Sequence, residues 1–237
     1  MISKEHIGLL YRAWKYRNTQ SNEINYLLKI IKKGQTVFDI GAHKGAYSFW
    51  MKKAIGKNGK LVCFEPQHKG AELLKKLFEN KNVIVEQIAL SDEKRTTQLF
   101  VKPQPGISFE ASLNNTYQNA LVEEVTTTTI DDYCRENSTF PSCIKIDVEG
   151  HETNVIEGAV EVFKNLKPFL LVEIEARHIG EQALQKLCNK IVNVGYAAYF
   201  FYKNEKLPLK YFNTQLHQNI ENINTNKYSN NFAFEPL

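Results

Sequence analysis

Val37-Phe38-Asp39-Ile40-Gly41-Ala42-His43-Lys44-Gly45-Ala46-Tyr47 is the stretch on which the fold turns. Its first four residues read as a buried strand, a short apolar run bounded by a turn signal. Gly41 and Gly45 make the turn, and the run at 47–51 reads as the helix it opens. Working outward, Leu61-Val62-Cys63-Phe64 is the next strand-like run; Glu65 stands at its end and Pro66 closes it. A strand, a glycine turn, a helix and a carboxylate one strand over form the layout of a pocket for a nucleotide-type cofactor. Glycine lets the backbone approach the ligand, and the carboxylate receives ribose hydroxyls. The turn has the shorter Asp-x-Gly-x-x-x-Gly form, not G-x-G-x-x-G.

Strand and helix signals alternate from residue 37 onward, which predicts an α/β fold with a mostly parallel sheet and helices on both faces. Further strands are expected at 82–90, 143–148, 169–175, 196–202 and 231–236, and helices at 71–78, 155–166 and 183–194. Residues 1–33 read as one or two helices, an N-terminal extension; 34–237 form the main domain. The section from 95 to 130 breaks the rhythm. Strand-like runs at 96–101 and 122–129 flank a polar loop opened by Pro103, Pro105 and Gly106. An insertion at the carboxyl side of a parallel sheet lies where substrates bind, so 103–120 is expected to shape the acceptor pocket.

The bulk numbers narrow the class. A chain of 237 residues suits one α/β domain with a small extension. Hydrophobic residues make up 43% and charged residues 24%, an ordinary globular composition. A net charge of +4 is too mild to argue for nucleic acid. Cys63, Cys134, Cys143 and Cys188 form no C-x-x-C pair and read as buried thiols. No signal peptide and no apolar run of membrane-spanning length appear, so a cytoplasmic protein is expected.

The second strong signal is Ile144-Lys145-Ile146-Asp147-Val148-Glu149-Gly150-His151-Glu152. Ionisable residues gather where a buried strand leaves the sheet. Unpaired buried carboxylates are costly, so Asp147 and Glu149 should have partners or face a cleft. His151 titrates near neutrality and could accept a proton. Glu152 reads as a first-turn helix residue favoured by the dipole.

The glycine turn, Phe64-Glu65-Pro66, Ala89-Leu90-Ser91-Asp92, the 144–152 block and Leu171-Val172-Glu173-Ile174 occur in that order. The set resembles the FkbM family of S-adenosylmethionine-dependent methyltransferases, over residues 35–202. The resemblance implies a Rossmann-like class I methyltransferase with a mostly parallel, seven-stranded sheet. It implies O-methylation of a sugar, glycan or secondary-metabolite hydroxyl. It also assigns cofactor contacts to Asp39, Gly41, Ala42, His43, Gly45, Glu65, Pro66, Ala89, Leu90, Ser91 and Asp147. Within that set, Asp39 would meet the methionine amino group, Glu65 both ribose hydroxyls, and 88–91 the adenine.

A sugar hydroxyl is a poor nucleophile and needs a base as the methyl moves. The candidate is His151, with Glu149 or Asp147 orienting it or binding the acceptor; Glu175 and His178 are candidates for the acceptor pocket. A divalent cation such as Mg²⁺ on Asp147, Glu149, Glu173 and Glu175 is the less favoured alternative, because Glu173 and Glu175 alternate faces of one strand. Two rivals remain: an NAD-dependent oxidoreductase, and a catalytically silent methyltransferase-like binding module. The helices of 1–33 could cover the cofactor mouth or pair two subunits as a homodimer.

Overall fold

The computed structural model describes residues 3–79, 82–103, 111–115, 118–223 and 225–237. Two helices lead, α1 (Lys4–Thr19) and α2 (Ser21–Ile30). Then come β1 (Thr36–Ile40), α3 (Ala46–Ile55), β2 (Lys60–Phe64), α4 (His68–Leu77), β3 (Val83–Glu86) and β4 (Ala89–Leu90). The middle holds β5 (Thr96–Val101), β6 (Ala111–Ser112), β7 (Leu121–Thr128) and α5 (Ile130–Asn137). After it run β8 (Cys143–Ile146), α6 (Glu152–Glu157), α7 (Val160–Asn165), β9 (Phe169–Glu173), α8 (Ala176–Ile179) and α9 (Glu181–Asn193). The chain closes with β10 (Tyr196–Tyr202), β11 (Glu205–Pro208), α10 (Thr214–His217) and β12 (Asn231–Pro236).

The main sheet has the order β11-β10-β12-β9-β8-β1-β2-β3. The five strands from β9 to β3 are parallel to one another, and β12, β10 and β11 add antiparallel pairings at one edge. The sheet therefore has eight strands rather than the expected seven; the extra one is β11, a hairpin return from β10 around the turn at Lys203 and Asn204, both with positive φ. Side chains alternate across it. Val37 packs with α1–α4 on one face, whereas Phe38 and Ile40 pack on the other with α5, α6, α7 and α9.

Two further expectations need correction. The run 82–90 is not one strand: β3 ends the main sheet, and β4 belongs to a second sheet ordered β4-β7-β5-β6. The helix expected at 155–166 is two, α6 and α7, because Gly158 is pressed against the Ser91 backbone: a Cβ there would stand 2.0 Å from Ser91 O. Helix α5 lacked any sequence assignment. Its signal was Thr129, whose hydroxyl accepts from Asp132 N at 2.9 Å, followed by Asp131 and Asp132 in the first turn.

The N-terminal helices pack onto the sheet core. Leu9, Ala13, Ile24, Leu27 and Ile31 are buried, all but Ala13 in the cluster that holds Val37, Met51 and Leu61. Trp50 Nε1 on α3 donates to Ala13 O at 3.0 Å. All four cysteines are free and buried, and burial raises every thiol pKa, that of Cys134 and Cys188 to about 12. Among the described residues, no helix is long and apolar enough to cross a membrane.

Candidate cofactor cleft

The carboxyl ends of β1, β2, β4, β8 and β9 open onto one cleft of about 690 Å³. That is within the roughly 300–1,000 Å³ of small-molecule sites. It lies where the strand order turns back, since β1 has β2 on one side and β8 on the other.

Gly41 sits at this crossing. Its φ is +76°, and a Cβ would stand 1.7 Å from Asp147 O, so only glycine lets the two strand exits pass. Gly41 and His43 line the cleft. Gly45 is not among the described residues that line the cleft. It is buried, and a Cβ would meet the Phe78 ring at 2.8 Å, so this glycine serves the packing of α3 on α4.

Glu65 is 6% exposed and lines the cleft. Its carboxylate accepts from His43 N at 2.8 Å and from Gln67 N at 3.0 Å, which fixes both oxygens. Burial pushes its pKa up to about 7, with those two N–H groups opposing the rise. Gly70 makes the room: a Cβ there would stand 2.8 Å from Glu65 Cγ. Pro66, Ile88, Ala89 and Leu90 continue the wall.

Asp39, Ala42 and Ser91 are buried and are not among the described residues that line the cleft. Asp39 accepts from the Ser48 hydroxyl, faces Lys145 across the β1–β8 register, and has its pKa raised to about 6 by burial.

Lys145 had no assigned role and proves central. It is 1% exposed, with Nζ 3.1 Å from Asp147 Oδ2 and 4.8 Å from the centre of the Tyr47 ring. Burial alone would lower its pKa; Asp147, Glu173 and Asp39 outweigh that and raise it, so the ammonium stays charged. Asp147 and Glu173 both line the cleft. Glu173 accepts from Asn230 Nδ2 at 2.8 Å, and burial, then Asp147, raise its pKa.

His151 and Glu175 depart from expectation. His151 is 4% exposed; Nε2 lies 2.9 Å from Ser91 Oγ, and Nδ1 is shut from solvent with no partner among the described residues. Burial lowers its pKa. Its ring borders the cleft, but neither nitrogen is open to an incoming hydroxyl. Glu175 is 3% exposed and bound by Arg177 Nε and by the Tyr228 hydroxyl, so it is committed to α8 and the C-terminal segment, and it is not among the described residues that line the cleft. Glu152 does cap its loop: its carboxylate accepts from Val148 N and Gly150 N at 3.3 and 3.0 Å, and burial raises its pKa to about 7.

His178 and Glu149 do face the cleft, with Nε2 to Oε2 at 3.9 Å. Both are half-buried. Burial and then Arg177 lower the His178 pKa, which leaves a neutral imidazole at pH 7. The second sheet closes the far wall with Leu99, Lys102, Ala111, Ser112 and Leu113. It is tied down by Ser112 Oγ donating to Glu149 O and Asn114 Nδ2 donating to Gly150 O, each at 2.8 Å. Part of the expected 103–120 insertion, 104–110 and 116–117, lies outside the described residues. The N-terminal helices add Lys15, Tyr16 and Gln20 to the rim. Among the described residues, no three His, Cys, Asp or Glu side chains are grouped to hold a metal ion.

An eight-stranded sheet with this strand order and a cleft at its carboxyl edge is the Rossmann-like fold of the class I methyltransferases. The model of the methyltransferase FkbM domain matches residues 39–223, and the chain belongs to that family of S-adenosylmethionine-dependent methyltransferases. Solved structures share the fold at low identity. The methyltransferase FkbM of Methylobacillus flagellatus KT is 14% identical with a TM-score of 0.55, over 98% of this chain and 55% of that one. The chain thus spans about half the length of that relative. Cofactor-bound Rv0187 from MTB is 12% identical (TM-score 0.51; 99% of this chain, 89% of that one). Aeropyrum pernix fibrillarin, in complex with natively bound S-adenosyl-L-methionine, is 10% identical (TM-score 0.50; 87% and 68%). No curated protein matches the chain.

Proposed function

We propose that this protein transfers the methyl group of S-adenosylmethionine to a hydroxyl of a sugar, glycan or secondary metabolite. The observation that carries the reading is that Glu65, the Gly41 turn and the Asp147–Glu149 exit border one cleft. The residues present suit that cofactor. Glu65 offers two fixed carboxylate oxygens to ribose hydroxyls, and the wall of Ile88, Ala89 and Leu90 suits an adenine. Asp147, held by Lys145, and Glu173, held by Asn230, offer oxygens to an α-ammonium group. Acidic residues beside the glycine turn suit a cationic ligand and oppose a pyrophosphate, which favours this cofactor over NAD.

When bound, the cofactor supplies an electrophilic methyl on a sulfonium. The protein's share is alignment, exclusion of water and removal of a proton. His178 is the proposed base: it is neutral at pH 7, borders the cleft, and receives the hydroxyl proton on a ring nitrogen. Glu149, 3.9 Å from Nε2, then stabilises the imidazolium. His151 instead locks the β8 exit to Ser91 beside the adenine wall.

Calorimetric titration with S-adenosylmethionine, S-adenosylhomocysteine and NADH, alongside Glu65→Ala, tests the cofactor. Micromolar binding of the two adenosyl ligands, lost in the variant, is expected; binding of NADH alone would overturn the reading. On an acceptor found by screening hydroxylated compounds, His178→Ala is expected to lower kcat by about 10²–10⁴ with cofactor affinity unchanged. Cofactor binding without turnover on any acceptor would instead support a silent binding module.

A further inference from the structure

Helix α1 is apolar on two sides. Leu9 and Ala13 face inward and are buried. Ile7, Leu10, Tyr11 and Trp14, spaced i, i+3, i+4 and i+7, form a second stripe that is 58, 48, 61 and 63% exposed. Single exposed apolar residues need no explanation, but a contiguous stripe ending in two aromatic rings 6.2 Å apart does. Lys4 and Lys15 stand at either end of it, exposed.

The stripe runs into a concavity of about 830 Å³ between α1 and the C-terminal ends of α3 and α4. Its floor is apolar, with Leu9, Leu77 and Phe78, and Leu10 belongs to both features. Lys52, Lys53, Lys57 and Lys76 line its edge. The acidic groups nearby are Glu79, which also lines it, and Glu5, close enough to Lys76 for that charge to help lower the Glu5 pKa after the larger hydrogen-bond effects.

We propose that this face, the α1 stripe with the adjoining lysine-edged concavity, docks on the surface of an anionic lipid bilayer. Trp and Tyr rings settle at the headgroup level, where one side is apolar and the other wet. Lysine stems lie along apolar surface while their ammonium groups reach lipid phosphates. A second copy is the weaker occupant, because a two-fold contact would set the same lysines against each other. A nucleic acid would match the lysines and leave the stripe of Ile7, Leu10 and Trp14 in water. Helix α1 also supplies Tyr16 to the cleft, so docking keeps that wall within roughly one helix diameter, ~10 Å, of the bilayer.

The test is flotation of the full chain with vesicles of phosphatidylcholine alone or mixed with phosphatidylglycerol. The protein is expected to float with the mixed vesicles, to stay behind with the neutral ones, and to be released by high salt. Lys53→Ala and Lys57→Ala should each weaken partitioning about fivefold, and Leu10→Ser with Trp14→Ser should abolish it. All four positions are exposed, and unchanged thermal unfolding would verify that the variants fold. Three results would each overturn the proposal: no flotation with acidic vesicles, equal flotation with both compositions, or variants that float like the wild type. A solution dimer that Trp14→Ser makes monomeric, without vesicle binding, would assign the face to a second copy.

Discussion

Glu65 was legible from its place after an apolar strand; its charge state was not, because that depends on burial. With a pKa near 7, Glu65 is partly protonated in the free protein at neutrality. Ribose hydroxyls need the ionised form as acceptor. Cofactor affinity should therefore be constant above about pH 7.5 and weaken up to tenfold per unit as pH falls below 7. Calorimetry across pH 5.5–8.5 (roughly three units) checks this, and a flat profile would remove Glu65 from the ribose site. Lys145 was the opposite case. Asp147, two residues on, is a partner the sequence shows; Asp39 and Glu173 are not, because they reach Lys145 only through the pairing of β1 and β9 with β8. Removing a buried partner leaves uncompensated charge, so Lys145→Ala should cost about 3–5 kcal/mol in urea unfolding at pH 7. His151 and Glu175 show a limit of the same kind: the sequence placed them at the sheet edge but could not say which way their side chains turn.

Among the elements, the strands with continuous apolar runs were legible, since burial on both faces leaves little else for such a run to do. The short and capped elements were not. β11 follows β10 by a tight turn without a glycine, and α5 is announced by its Thr129 cap and two first-turn aspartates, with little else. The first turn of α5 also serves α7. Asp131, on α5, accepts from Glu161 N and Val162 N at 3.0 and 2.9 Å, so it satisfies the first turn of a helix about thirty residues away. Asp131→Ala should lower stability by about 1–2 kcal/mol, while Asp132→Ala, which removes an i, i+3 ion pair with the exposed Arg135, should cost less than about 0.5 kcal/mol. Chemical denaturation of the two variants separates them; equal losses would mean that α7 does not depend on this bridge.

For the molecule as a whole, the α/β class and the cleft's position followed from alternation of strand and helix. The second sheet and the part played by the N-terminal helices did not, because both rest on contacts between distant segments. Asn114 reaches the loop after β8 across 36 residues of sequence, and Trp50 binds Ala13 across 37.

The four buried thiols turn the chain into its own clock. They sit on α5, α9 and two central strands, and each is held protonated at neutral pH. A maleimide can reach them only when the fold opens, so alkylation times the opening. Cys63 and Cys143, in neighbouring strands on either side of β1, should be modified together and at the rate of global unfolding. Cys134 and Cys188, on outer helices, would react sooner if a helix lifts off first. Mass spectrometry of a timed reaction reads the order, and a saturating adenosyl ligand should slow the strand pair most.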